Sequence, residues 1–307
     1  SGQNLTINST GGAVSIASVM GSGTATTLTI NADNIIQSSN QKNRTSGIIR
    51  LNPHIYSRKN NLIVKAGLSV QANINDNTKF HIFPDLELSY SLFNNVFIPY
   101  GGWVGNVQRN TFNDIRLENP FISEDANLQN TVQKSNLFAG VRGSLSSKFT
   151  FNLSASFQKF DSMYFFTPDN ISSYGNKFQM TYDNLSQTSF MGEITYQDSE
   201  KLKVSAKGEY FIYDPSNELY AWQKPEFLIT LSGLLDLSNK IIVKSDIYLV
   251  GQRKVFSHYE PLRDYELEDG KYVSSLKPLI DMNLSAEYRY NKKVSGFIQF
   301  NNFIGKK

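Results

Sequence analysis

The sequence predicts an all-β chain, a transmembrane antiparallel up-and-down β-barrel with about 12 strands in view. Three observations point there. Apolar and polar residues alternate with a period of two in one segment after another, as side chains do along a strand. The alternating segments run to roughly 10–14 residues, where soluble sandwich strands average about 5–6. Short turns at one end of the strands oppose long connections at the other, the asymmetry of outer-membrane barrels.

Composition narrows the field. The 307 residues suffice for two ordinary soluble domains or one large barrel. With 30 basic against 27 acidic residues there is no electrostatic reason to expect nucleic acid as a partner. Cysteine is absent, which excludes disulfides, thiolate nucleophiles and Cys-based metal sites. No run approaches the roughly 20 apolar residues of a spanning helix; the longest candidate, Phe227–Leu237, is interrupted by Thr230, Ser232 and Asp236. The N-terminal SGQNLTINS is not a signal peptide, so the chain is expected to be processed or a fragment. Phenylalanine (21) and tyrosine (16) far outnumber tryptophan (2), and both suit strands and lipid–water interfaces.

Residues 1–43, rich in Gly, Ser, Thr and Asn, read as a loop plus one or two barrel strands, with short alternating pieces at Asn4–Asn8 and Thr27–Asn31. A β-solenoid piece of a secreted adhesin is the competing reading, without a fixed period behind it. Residues 44–307 read as the transmembrane barrel proper. Ile49, Leu51, Pro53 and Ile55 oppose Arg50, Asn52, His54 and Tyr56, and Leu62–Ala72 and Ile82–Leu92 repeat the pattern. Val96–Gln108 follows the turn Phe93–Asn95 and carries Pro99, Tyr100 and Trp103. A polar connection is expected over 109–133. Leu137–Leu145 and Phe149–Phe157 then alternate about a turn at 146–148. A second long connection is expected over 161–187, with extra strand at Lys177–Tyr182. Phe190–Tyr196, Leu202–Ile212, Phe227–Leu235 and Ile241–Leu249 follow, separated by turns at 198–201 and 238–240 and by a medium loop at 214–222. The charged stretch 255–275 is expected as the last long loop. Ile280–Tyr290 and Val294–Phe300 close the series as a hairpin about Asn291-Lys292-Lys293.

Alternation also assigns the faces. Arg50, Lys65, Asp85, Glu87, Arg142, Lys203, Lys207, Glu209, Lys244, Asp246, Glu287 and Arg289 fall on polar faces, where they are expected to line a lumen. The apolar faces are then turned to lipid. Tyr90, Tyr100, Trp103, Tyr196, Tyr210, Tyr213, Tyr288 and Tyr290 are expected as interface aromatics at headgroup level. A closed wall is required, because an unpaired backbone group in hydrocarbon costs several kcal/mol.

Catalytic and metal signals are weak. His54 and His81 read as lumen-wall residues without the further ligands a metal needs. Asp85/Glu87 reads as a solvated wall pair, and Asp264/Glu266/Glu268/Asp269 as an acidic loop patch. Ser257-His258 lacks nucleophile-elbow glycines. No enzyme and no cofactor is expected.

FHIFPDLELSYSLFNNVFIPYGG (80–102), NLFAGVRGSLSSKFTFNLSASF (136–157) and AEYRYNKKVSGFIQFNNFIGKK (286–307) resemble the C-terminal barrel half of TonB-dependent-receptor-like proteins of Bacteroidetes. The resemblance implies a bacterial outer-membrane barrel of about 22 strands, a further strand after the last hairpin, and energised uptake or binding of an external ligand. It implies outer-membrane lipid, TonB, and a plug or surface lipoprotein as partners, although no plug or TonB box is visible in these residues. The alternative is a non-transporting barrel serving as a structural subunit or anchor of an outer-membrane complex.

Overall fold

The computed structural model describes residues 12–20, 24–35, 44–74, 78–124, 126–169, 173, 176–238, 240–257, 266–291 and 293–305. The strands, in order, are β1 (Gly12–Met20), β2 (Thr24–Ile35), β3 (Arg44–Lys59), β4 (Leu62–Ile74), β5 (Lys79–Tyr90) and β6 (Ile98–Gln108). After the short helix α1 (Phe112–Glu118) come β7 (Thr131–Ser144), β8 (Phe149–Pro168), β9 (Phe178–Asp198), β10 (Leu202–Pro215), β11 (Phe227–Leu237) and β12 (Ile241–Val250). The last are β13 (Arg253–Ser257), β14 (Glu266–Glu268), β15 (Lys271–Leu276), β16 (Leu279–Asn291) and β17 (Val294–Phe300).

Fourteen of these strands form one sheet in sequence order, β1 through β12 and then β16 and β17, and every neighbouring pair is antiparallel. This is the up-and-down wall that the alternation predicts. Twelve of the strands begin at or after residue 44, and β1 and β2 extend the sheet by continuous pairing of β2 with β3. The piece Asn4–Asn8 lies outside the described residues.

Register lines up the apolar faces across the wall. One row runs Val141–Leu153–Gly192–Gly208–Ile229–Leu249–Ile280, and the next runs Gly143–Phe151–Ile194–Ala206–Leu231–Ile247–Met282. Nothing among the described residues covers this face: Leu68, Leu88, Leu153, Phe157, Ile212 and Ile298 are all exposed. An apolar surface of this extent on a soluble monomer would be anomalous, whereas a transmembrane wall requires it.

The short turns hold their shape through left-handed residues, Asn60, Ser199 and Ser238 among them. The turn between β5 and β6 is the most constrained, with Phe93, Asn94 and Asn95 at φ of 49°, 54° and 70°. Asparagine tolerates this region and phenylalanine does not, so the turn depends on what holds it. Leu92 and Phe97 exchange backbone bonds across it, and the Ser91 hydroxyl donates to Asn95 Oδ1 at 2.6 Å. It also folds onto β7 where Gly143 has no side chain; a Cβ there would stand 1.9 Å from the Val96 carbonyl oxygen. Gly143→Ala is therefore expected to destabilise the wall by about 1–3 kcal/mol, read as a lowered urea midpoint for folding into lipid vesicles.

Three stretches expected as connections are more ordered than that. Residues 109–133 contain α1, capped by Thr111, whose Oγ1 accepts from the Asp114 N–H at 3.1 Å, and the start of β7. Residues 161–187 are largely strand, because β8 and β9 continue as a paired hairpin to Pro168 and Phe178. The expected extra strand at Lys177–Tyr182 is the beginning of β9. Residues 255–275 carry most of a second, three-stranded sheet in the order β13–β15–β14, whose β14–β15 turn is Asp269-Gly270, both at positive φ.

The length of β8 and β9 explains the rest of the architecture. On β8 the outward residues Phe149, Phe151, Leu153, Ala155 and Phe157 are apolar, and the next, Lys159, is charged. Nine residues suffice to cross a bilayer when tilted, so the remainder of this hairpin stands beyond the apolar band. A bulge between Phe160 and Met163, with Ser162 at φ 53°, marks the junction.

Candidate functional site

Two surfaces carry the chemistry: the polar face of the wall, and a cap built on the β8–β9 extension. Register places all twelve expected lumen-lining charges on the face opposite the exposed apolar one. Most of them are paired locally. Lys65 Nζ lies 2.7 Å from Asp85 and 3.0 Å from Glu87 across β4 and β5. Lys207 pairs with Glu209 and Arg289 with Glu287, each at 2.9 Å along one strand, and Ser232 donates to Asp246 at 2.6 Å. Lys203 and Lys244 stand on the same face. Both signs are interleaved, so this face has mixed polarity and no single-sign field.

Arg50 reaches across the face. Its Nε donates to Gln71 Oε1 at 3.2 Å and its Nη2 to the Val107 carbonyl, while Gln71 Oε1 also accepts the Val107 N–H at 2.9 Å. His54 bonds locally to the Asn52 carbonyl and stands in line with Asp85, and His81 lies further along β5, stacked on Phe83. The two histidines do not meet. Ser257 lies in β13, whereas His258 and Asp264 lie outside the described residues.

The aromatics divide. Tyr90, Trp103, Tyr210, Tyr288 and Tyr290 are exposed on the apolar face, and Tyr196 packs there against Phe149 at 4.7 Å. Tyr100 is a correction: it lies on the polar face, donating to Asn152 Oδ1 at 2.7 Å beneath the Arg142 guanidinium 5.2 Å away. Tyr213 is another, since its hydroxyl donates to the Pro225 carbonyl at 3.0 Å and its ring packs into the cap. Asn95, Arg142, Asn152, Glu193 and Thr195 border an open hollow of about 320 Å³ beside Tyr100, towards the short-turn end.

The cap is a packed structure. One face of the β8–β9 extension supplies Phe160, Phe165 and Leu185, which bury Trp222 and Ala221 of the loop 216–226 and Phe256 and Val273 of the small sheet. The other face supplies Phe166, with Tyr164, Phe178 and Met180, against Ile115 of α1, Ile122 and Ala126. Burial on both faces is why Met163, Tyr164, Phe165 and Phe166 read as a continuous apolar run without alternation. Two of the long connections and the medium loop are thus folded onto one hairpin.

Polar contacts lock these layers. Asp183 accepts from the backbone N–H groups of Asn217 and Glu218 at 2.7 and 2.8 Å, clamping the loop 216–226 to β9. Glu218 Oε2 then accepts from Trp222 Nε1 at 2.7 Å and pairs with Lys271 at 2.9 Å. The Lys271 ammonium lies 5.5 Å from the Trp222 ring and 5.0 Å from Phe256, a charge held over aromatic faces. Tyr220 donates to Glu268 at 2.8 Å, so the acidic patch is partly engaged inside the cap. Lys224 is nearly buried, 4.4 Å from the Tyr164 ring and 3.3 Å from Glu118 of α1. Burial pulls its ammonium below the ordinary lysine range, against the opposing pull of Glu118. Sequence reasoning singles out neither Trp222 nor Lys224, and it reads 255–275 as a loop; the signal that could have found the small sheet is Asp269-Gly270, a hairpin turn between alternating residues.

No family model matches the sequence, and no curated protein matches it. The fold does match solved outer-membrane receptors. The pyoverdine outer membrane receptor FpvA from Pseudomonas aeruginosa, bound to pyoverdine, superposes with a TM-score of 0.60 at 11% identity, over 94% of this chain and 47% of that one. The copper transporter OprC gives 0.59 at 11% identity, over 95% and 50%. A variant of the ferric enterobactin receptor PfeA from P. aeruginosa, in complex with enterobactin, gives 0.60 at 12%, over 96% and 48%. The likeness is one of fold, an arc of receptor-type barrel wall, and the chain spans about half the length of these structures.

Proposed function

We propose that this chain forms part of the wall and the external cap of a bacterial outer-membrane barrel of TonB-dependent-receptor type, which binds an external ligand and takes it up. The observation that carries the reading is the pairing of an uncovered apolar face with a charged opposite face under a packed cap. Lipid satisfies the first and a water-filled lumen the second, with the wall charges from Arg50 to Arg289 lining that lumen and the exposed tyrosines at headgroup level. The cap stands at the long-loop end, where an external ligand or a surface lipoprotein would first meet the protein. Its cross-bracing makes it a preformed platform, which lowers the ordering cost of binding. The receptor-like fold supports a plug moved by TonB, and neighbours that bind siderophores or carry copper make metal chelates the first ligands to try.

The test is accumulation of labelled ferric siderophores and copper by cells with and without the gene, each with TonB present and deleted. Loss of accumulation in both single deletions is the expected result. Outer-membrane recovery with accumulation unchanged in both deletions would replace transport by the second reading, a structural anchor of an envelope complex.

A further inference from the structure

Among the described residues the wall carries a seam between the upper halves of β5 and β6. These strands pair only from Asp85–Ser89 against Val104–Tyr100, whereas β5 pairs with β4 along its whole length to Lys79.

The hydrogen-bond phase shows what is left free. In an antiparallel pair, bonded and non-bonded positions alternate. Ser91 donates to the Asn61 carbonyl at 2.8 Å, and Leu92 and Phe97 exchange bonds at 2.8 and 3.4 Å. Neither register slips, so odd-numbered residues of β5 bond to β4 and even-numbered ones face β6. Leu88 and Leu86 meet Gly101 and Trp103. The next even residue is Pro84, which has no N–H to offer, and it falls opposite Gly105, where β6 departs.

The residue after that is Ile82, whose ladder partner in the same register is Val107. Val107 is already satisfied elsewhere: Gln71 accepts its N–H at 2.9 Å and Arg50 donates to its carbonyl. Its side chain is fully buried with Ile48, Phe83 and Val132. Ile48 and Phe83 belong to the polar-side parity of β3 and β5, so the top of the β6–β7 hairpin leans over that side. Gly105 permits the approach, for a Cβ there would meet the Phe83 ring at 2.6 Å. Zipping the seam shut would dismantle this cluster and the Arg50–Gln71 pair.

The edge that remains offers the N–H and C=O groups of Phe80 and Ile82 and the C=O of Pro84. The backbone of 79–84 pairs with β4 alone among the described residues. The Phe80 and Ile82 side chains are 74% and 69% exposed on the apolar face. Alternating donors and acceptors suit another strand; an anionic headgroup would meet the carbonyls between the donors. We propose that this half of β5 is a strand-addition edge, which takes an extended segment of a partner polypeptide with apolar residues at alternate positions. Such a segment satisfies the groups that the edge leaves open, and its apolar side chains stand beside Phe80 and Ile82.

The test uses the full-length protein in lipid nanodiscs and an end-capped hexapeptide of alternating threonine and valine as probe. Before the probe is added, the Phe80 and Ile82 amides should exchange with deuterium faster than those of His81 and Phe83. The probe should slow Phe80 and Ile82 alone, by roughly tenfold, the effect of one net hydrogen bond. A probe N-methylated at alternate residues should not. Ile82→Pro removes an edge donor but no bond to β4, and should abolish the slowing at Phe80 while heat-modifiable migration persists. Should that variant fail to fold, the methylated probe still decides. Equal protection of all four amides without the probe, which would mean that the chain covers its own edge, overturns the proposal. So does equal slowing by both probes, or no slowing by either. None of these outcomes bears on ligand uptake.

Discussion

Leu153→Arg is expected to cost about 2–4 kcal/mol of folding free energy in a bilayer. Leu153 is the central outward residue of the apolar span of β8, is exposed, and lies in register between Val141 and Gly192. A guanidinium there has hydrocarbon around it, no carboxylate in its row, and about half the depth of the apolar band between it and either interface. Thr195→Arg is the matched control. Thr195 lies on the polar face beside open space, and an arginine there reaches water, so its cost should stay below about 1 kcal/mol. Urea titrations of folding into lipid vesicles measure both. Equal costs, or a negligible one for Leu153→Arg, would mean that the apolar face does not meet lipid, and the membrane reading would fall with it.

The second large effect belongs to the cap. Trp222 is fully buried between the β8–β9 extension and the small sheet, and its ring touches Phe256 at 4.6 Å. Trp222→Ala empties the centre of that cluster, removes the Glu218 contact at 2.7 Å, and takes away the ring over which Lys271 lies. A loss of about 3–5 kcal/mol is expected, confined to the cap, because the wall is held by its own ladder. Protease sensitivity within 216–226, 253–257 and 266–276 should appear while the barrel stays heat-modifiable. Leu117→Ala, on α1 and 77% exposed, should change stability by no more than about 0.5 kcal/mol. Collapse of wall and cap together would show one cooperative unit where the packing indicates two.

The positions of Tyr100 and Tyr213 follow from a rule already available in the sequence. Tyr100 stands three residues from Trp103, and Tyr213 three from Tyr210, so neither pair shares a face of a strand. Residue type suggested a common girdle, and parity separates them.

What the sequence alone determined is the wall: strand order, register faces, short turns and the charged set from Arg50 to Arg289. Each of those strand segments lies between two different environments, and that difference is written locally as alternation. Tertiary structure decided the rest. The β8–β9 extension is buried on both faces, so no period marks it, and the contacts of Trp222, Lys224 and Lys271 join stretches far apart in the chain. The seam at Ile82 depends on Val107 taking its partners from Gln71 and Arg50, an exchange between distant strands that leaves no trace in any one of them.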